Sequence, residues 1–177
     1  MNAPTGRRAS PDRKRSSRKR PSSLRPTRLT LRPPTFPPGP VSGAWWPRSD
    51  DLPAELPALI EAFDTSWGRV TRMAAHRSAW PQAPCELPVA GHTVRATWYT
   101  SGFDPHAIRL FSYGVGRRDL LIVPPGTGAA TAGRLMTAAA DPALHLTASA
   151  LLEDAGGSPL RQKTRDDRAA APPRRDR

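Results

Sequence analysis

One cysteine, Cys85, stands in 177 residues, so an internal disulfide framework is excluded and a reducing cytoplasm is the expected setting. With Glu86 beside it and no cation next to it, Cys85 reads as a small apolar packing residue rather than a reactive thiolate. Lysine is nearly as scarce, since Lys14, Lys19 and Lys163 leave 24 of the 27 cationic side chains as arginine. That bias fits high-GC coding. No run approaches the roughly 20 apolar residues of a membrane span, and Arg7-Arg8 is followed by ASPDRKRSSRKRP rather than the apolar core of an export signal. A membrane partner is therefore not expected.

Motifs for chemistry are equally thin. His76, His92, His106 and His145 include no pair at helical i, i+4 spacing and none has a cysteine beside it, so no metal site is expected. The run PPGTGAATAG sits between an apolar strand and a helix, as a phosphate-binding loop does. Aligned on Gly128, however, it has Val123 where glycine is needed and Ala129 where the phosphate-contacting lysine belongs. Nucleotide hydrolysis loses its support, Thr127 reads as a helix N-cap, and no cofactor is expected. Ser112 lies outside any G-x-S-x-G elbow, which leaves acyl transfer unsupported.

What the chain has in quantity is positive charge, and it is unevenly placed. Residues 1–32 carry eleven arginines or lysines against one aspartate, and residues 161–177 carry seven against three. The intervening segment carries nine cationic and eleven acidic side chains, so the pI of 11.4 is a property of the ends. Residues 1–27 are Arg, Ser and Pro with little to bury; they are expected to be a disordered basic arm. Residues 157–177 are expected to be a disordered charged tail, with one globular domain over 28–156 between them.

Within that domain Leu52, Leu56, Leu59, Ile60, Phe63 and Trp67 follow the 3.6-residue period, with Ser49, Asp50 and Asp51 ahead of them to cap the first amides. Pro57 implies that this helix begins near it or kinks there. RLTLR (28–32) and Arg69–Ala75 read as strands, and Ala79–Pro88, broken by three prolines and anchored by Trp80, as a loop. Thr93–Tyr99, Ala107–Tyr113 and Arg118–Pro124 read as three consecutive strands joined by short loops, hence an antiparallel meander. Helices are expected over Ala129–Ala140 and Thr147–Asp154. The sum is an α+β domain whose small antiparallel sheet, of about four to five strands, is packed by the amphipathic helix and the C-terminal helices.

The sequence supports three functional readings. The first is a non-enzymatic binding or regulatory module, with Trp45, Trp46, Arg48, Ser49, His106 and Arg117 as candidate ligand or partner contacts. Adjacent tryptophans cannot both face one side of an extended chain, so one enters the core; a Trp46→Ala loss of about 3–5 kcal/mol would mark Trp46 as that residue, with Trp45 losing much less. The second is an enzyme using His106 with Asp104 or Arg117, which requires those groups to converge in a cleft. The third is sequence-independent binding of nucleic acid or another polyanion through Arg13, Lys14, Arg15, Arg18, Lys19 and Arg20 of the arm.

GAWWPRSDDLPAELPALIEAFDTSWGRVTRM, with FDPHAIRLFSYGVGRRDLLIVPP and LMTAAADP behind it, resembles an actinobacterial family of unknown function, over about residues 28–155. GAWWPRS and the L-x-x-x-L-P-x-L helix are the most specific parts of the likeness. It implies a cytoplasmic bacterial protein and implies no activity.

Overall fold

The computed structural model describes residues 26–33, 39–89 and 91–156. Residues 1–25 of the basic arm, with Arg13, Lys14, Arg15, Arg18, Lys19 and Arg20, and the charged tail 157–177 lie outside the described residues, whereas the Thr27 hydroxyl donates to the Ala58 carbonyl at 2.9 Å. Helix α1 runs Leu52–Ser66. Its N-cap is Asp51, whose carboxylate accepts from the Ala54 amide at 3.2 Å, and Leu52, Leu56, Leu59, Ile60 and Phe63 are buried along one stripe. The helix continues through Pro57 instead of starting there. Pro57 has no amide to give the carbonyl of Pro53, but Pro53 is exposed, so water can replace the missing donor. At the other end Trp67 donates to the Phe63 carbonyl at 2.7 Å and Gly68 turns the chain at φ +110°. The Asp64 carboxylate then accepts from the Val70 amide at 2.7 Å, fixing where the next strand begins.

Seven strands form one mixed sheet: β1 (Leu29–Leu31), β2 (Gly43–Trp45), β3 (Val70–His76), β4 (Glu86–Val89), β5 (His92–Tyr99), β6 (Ala107–Ser112) and β7 (Gly116–Ile122), in the order β1-β2-β7-β6-β3-β5-β4. The pairs β2–β7 and β3–β5 are parallel and the other four antiparallel. This replaces the expected small antiparallel sheet. Two of these strands are not among the sequence expectations. Gly43–Trp45 pairs on both sides; Gly43 sits at φ +144°, and a Cβ there would run into the Thr30 carbonyl oxygen of β1. Glu86–Pro88 belong to the expected proline-broken loop Ala79–Pro88, but with Val89 they form β4, an edge strand, where the amide missing from Pro88 need not break a ladder.

The expected meander is also corrected. β6 and β7 form a hairpin, but β3 lies between β5 and β6, parallel to the first and antiparallel to the second. The connection over 100–106 therefore passes the end of β3 and spans two strand spacings, about 10 Å. Seven residues reach that far easily, so a short loop did not require direct pairing.

Helices α2 (Ala129–Ala140) and α3 (Ala148–Gly156) complete the chain. The N-cap of α2 is Gly128, with no side-chain hydrogen bond, and not Thr127. The sheet separates two cores. On one side α1 packs on Trp45, Met73, Trp80, Leu87, Val94, Ile108, Leu110 and Leu120, with the Trp45 and Trp80 rings stacked at 5.8 Å. On the other, α2 and α3 cover Val41, Ala44, Ala107, Leu121 and Val123. This second layer lies over the β1, β2 and β7 side of the sheet.

Candidate partner-binding surface

Because side chains alternate along a strand, the residues between the buried positions of β3, β5, β6 and β7 point away from α1. Cross-strand register sets them in rows. Arg117 of β7 is opposite Phe111 of β6, Phe111 opposite Arg72 of β3, Arg72 opposite Arg95 of β5, and Arg95 opposite Glu86 of β4. The next row runs Asp119, Arg109, Ala74, Thr97. Arg72, Arg95, Thr97 and Arg117 are exposed. Tyr99 closes this end of β5 with 40% of its surface exposed, its ring stacked at 5.1 Å and 11° on Phe103.

The arginines on this face differ in how they are engaged. Arg109 makes a two-pronged contact with Asp119, Nε to Oδ1 at 2.6 Å and the terminal amine to Oδ2 at 2.8 Å, and lies 5.2 Å from the Phe103 ring centre. Its hydrogen bonding to the Asp119 carboxylate raises the Arg109 pKa against the opposing effect of burial. Arg72 sits 5.2 Å from the centre of the Phe111 ring. Arg95 reaches Glu86 only at 4.0 Å, both side chains being exposed, a contact of little energy. Among the described residues Arg72 and Arg117 enter no ion pair.

The tryptophan corner is built differently. Trp45 is 1% exposed and is the core residue of the pair; the conditional assignment of that role to Trp46 is corrected. Trp46 is half-buried, with the Arg28 guanidinium 3.6 Å over its ring. Arg28 also donates to the carbonyls of Trp46 at 2.9 Å and Pro47 at 2.6 Å. Burial, and then the nearby charge of Arg48, lower the Arg28 pKa. The Ser49 hydroxyl donates to Glu55 at 2.9 Å, and the Arg48 amide to the same carboxylate at 3.1 Å. These residues surround a cavity of about 50 Å³ lined by Arg28, Trp45, Trp46, Arg48 and Glu55 among others.

His106 and Arg117 are not brought together. Arg117 is level with Phe111 while His106 precedes β6, five residues back along the strand direction, which is about 17 Å. Asp104 is close to His106 but holds its backbone: one carboxylate oxygen accepts from the His106 amide at 2.9 Å. The same carboxylate accepts from the Ser149 amide at 3.0 Å and hydroxyl at 2.7 Å, capping the start of α3. Burial alone would raise the Asp104 pKa, but the two bonds from Ser149, the His106 amide and the His106 ring together lower it. Among the described residues no three His, Cys, Asp or Glu side chains gather in a way that could hold a metal ion.

The chain matches DUF5994, a family of unknown function, over residues 28–139. It belongs to that family. Neither curated proteins nor solved structures gave a match. The family match runs from the start of β1 almost to the end of α2, so it contains every strand and the whole arginine–aromatic row. Of the sequence candidates Arg117 lies on that row, while Trp45, Trp46, Arg48 and Ser49 lie at the tryptophan corner and His106 at the opposite end of the β6–β7 hairpin. Arg72, Arg95, Phe111 and Tyr99 were missed. The alternation within β5 does put Arg95, Thr97 and Tyr99 on one face, but the row exists only once β3 is known to separate β5 from β6.

Proposed function

We propose that this DUF5994 protein is a non-enzymatic binding or regulatory module, and that the open part of its sheet receives a polyanionic partner. The observation that carries the reading is the row Arg117–Phe111–Arg72–Arg95, exposed arginines set across four strands beside the helix-covered part of the same face. Arginine suits such a role because its guanidinium is always charged and presents a planar fork of donors. The tryptophan corner with Arg48 and Ser49 serves in this reading to hold β2 and the head of α1 together. We also propose that GAWWPRS is characteristic of actinobacterial members of the family and that the protein works in the cytoplasm. No described helix is long and apolar enough to cross a membrane.

The direct test is retention of the full chain on immobilised heparin as a generic polyanion. Arg72→Ser/Arg95→Ser/Arg117→Ser should elute at clearly lower salt than the wild-type chain while melting at the same temperature. Unchanged elution would remove the sheet from the reading.

A second reading rests on the eleven cationic side chains among residues 1–32: the arm, with Arg13, Lys14, Arg15, Arg18, Lys19 and Arg20, adds sequence-independent contacts to phosphate. Its signature is a log K that falls with log salt by about 0.9 for each phosphate neutralised. Deleting residues 1–27 should remove that share of the salt dependence and leave the share due to the sheet.

A further inference from the structure

We infer that the open half of the sheet is a platform for single-stranded nucleic acid, its arginines taking phosphates and its aromatic rings taking unstacked bases. The inference deepens the polyanion reading and rests on it. Charge alone would fit any polyanion; the interleaved rings narrow the choice. Phe111 stands between Arg117 and Arg72 in the same cross-strand row. The stacked Tyr99 and Phe103 rings lie toward the other end of β5, on the side that Arg95 and Thr97 share. Neighbouring strands are about 4.8 Å apart, so Arg117 and Arg95, three spacings apart, bracket about 14 Å of surface, with Phe111 under Arg72 inside it and the Tyr99–Phe103 stack beside it. Bases stack on aromatic rings and on guanidinium planes alike, without regard to sequence.

The rings argue for one strand over two. Arginines on a sheet face can contact the phosphates of a duplex or of a single strand, but an aromatic side chain on that face can stack only on a base that is free of a duplex partner. An acidic protein would satisfy the arginines but would gain nothing specific from aromatic side chains placed among and beside them, of which Tyr99 is 40% exposed. The charge of the remaining molecule helps with orientation, because residues 50–66, leading into and forming α1, hold five acidic side chains and no arginine or lysine. Repulsion there and attraction on the opposite layer turn the open face toward a polyanion.

The experiment is fluorescence anisotropy of full-length protein with labelled 20-nucleotide oligo(dT) and oligo(U), and with a duplex of the same length, over a range of salt. Two variants keep the arm intact, so that any change comes from the sheet. Arg72→Ser/Arg95→Ser/Arg117→Ser should weaken binding to the single strands by about tenfold or more and reduce the salt slope by about 2, at about 0.7 per phosphate for single strands. Tyr99→Ala should weaken single-strand binding by about five- to a hundredfold and leave the duplex and the salt slope almost unchanged, because stacking carries no counterion release. If Tyr99→Ala melts early, Tyr99→Leu keeps apolar bulk without the ring and should show the same selective loss. Similar behaviour with oligo(dT) and oligo(U) makes the shared backbone and bases the ligand, whereas preference for one assigns the sugar. Wild-type affinity in both variants, or no binding at low salt, overturns the inference. A duplex bound as tightly as the single strands, with equal losses in the variants, also overturns it. If heparin retention still falls in the arginine variant in any of these cases, the polyanion reading survives without the single-strand inference.

Discussion

Two halves of one sheet face lie side by side in this molecule and meet opposite fates. Under α2 and α3 the face presents Val41, Ala44, Ala107, Leu121 and Val123, all buried. Beyond the helices it presents Arg72, Arg95, Thr97 and Arg117, all exposed. The boundary runs along β7 itself, where Leu121 is covered, Arg117 is open, and Asp119 between them is half-buried and paired with Arg109. The pleat is the same on both sides. What differs is side-chain chemistry at register-matched positions, so the sheet alone does not decide which part is covered. Arg109–Asp119 closes the edge of the apolar part with a bidentate ion pair, and the arginines outside it have solvent or a partner.

The comparison breaks most severely if the core beneath both halves is removed. Trp45→Ala deletes a buried ring stacked on Trp80 and should cost about 3–5 kcal/mol. Trp46→Ala exposes only a half-buried position beneath Arg28 and should cost well under half as much. Urea titrations of the two variants test this order directly, and equal losses would mean that Arg28 and Trp46 hold the β1–β2 edge as firmly as the core holds its centre.

The covered half depends next on Asp104, which ties the β5–β6 connection to the start of α3. Asp104→Ala removes three hydrogen bonds to one partly buried carboxylate and should cost about 1–2 kcal/mol near neutral pH. The sign with pH follows from the lowered carboxylate pKa. A folded-state value below the unfolded one stabilises the fold above the unfolded pKa, near 3.8, and that stabilisation fades as pH falls through the lower folded value. The gap between wild type and Asp104→Ala in thermal midpoint should therefore be widest above pH 5 or so and shrink on acidification. A gap independent of pH would assign the loss to packing.

These two sites also show what could and could not be read in advance. The apolar face and acidic cap of helix α1 were legible, because a 3.6-residue stripe and a cap are local signals, although Pro57 pointed to a start or kink inside a helix that runs from Leu52; α2 and the approximate limits of β3, β5, β6 and β7 were legible too. Neighbour relations were not. The order β6-β3-β5 depends on a long-range choice, in which β3 inserts between two strands that a seven-residue connection also allows to pair directly. Three-residue β2 carries no period to detect, and Pro88 hides β4 by a rule that holds for central strands and not for edges. The site suffered from the same gap. Summed over the chain between the tails, charge is slightly negative and hides a local segregation: residues 50–66 hold five acidic side chains and no arginine or lysine, while Arg72, Arg95, Arg109 and Arg117 share one sheet face. Sequence distance pairs Asp104 with His106 as candidate catalytic groups, whereas the carboxylate's partners are the His106 and Ser149 amides and the Ser149 hydroxyl, 45 positions away.

The smallest expected effect on stability belongs to the open half itself, and it sharpens the comparison most. If Arg72 and Arg117 are there for a partner, their removal should leave the fold nearly untouched, since neither enters an ion pair among the described residues. Arg72 does lie over Phe111, and an exposed cation–π contact is worth about 0.5–1 kcal/mol. Arg117→Ser is accordingly expected within about 0.5 kcal/mol of wild type, and Arg72→Ser at or slightly beyond that limit. Arg109→Ser should cost more than either, because it leaves the partly buried Asp119 carboxylate without its two donors. Urea midpoints of the three single variants, compared at low and high salt, resolve the order: Arg109 first, Arg72 second, Arg117 last, with the Arg109 effect persisting at high salt because its ion pair is partly buried. If Arg117→Ser instead proves as costly as Arg109→Ser, the open face is holding the β6–β7 hairpin together, and a structural role replaces partner binding as the reason for its arginines.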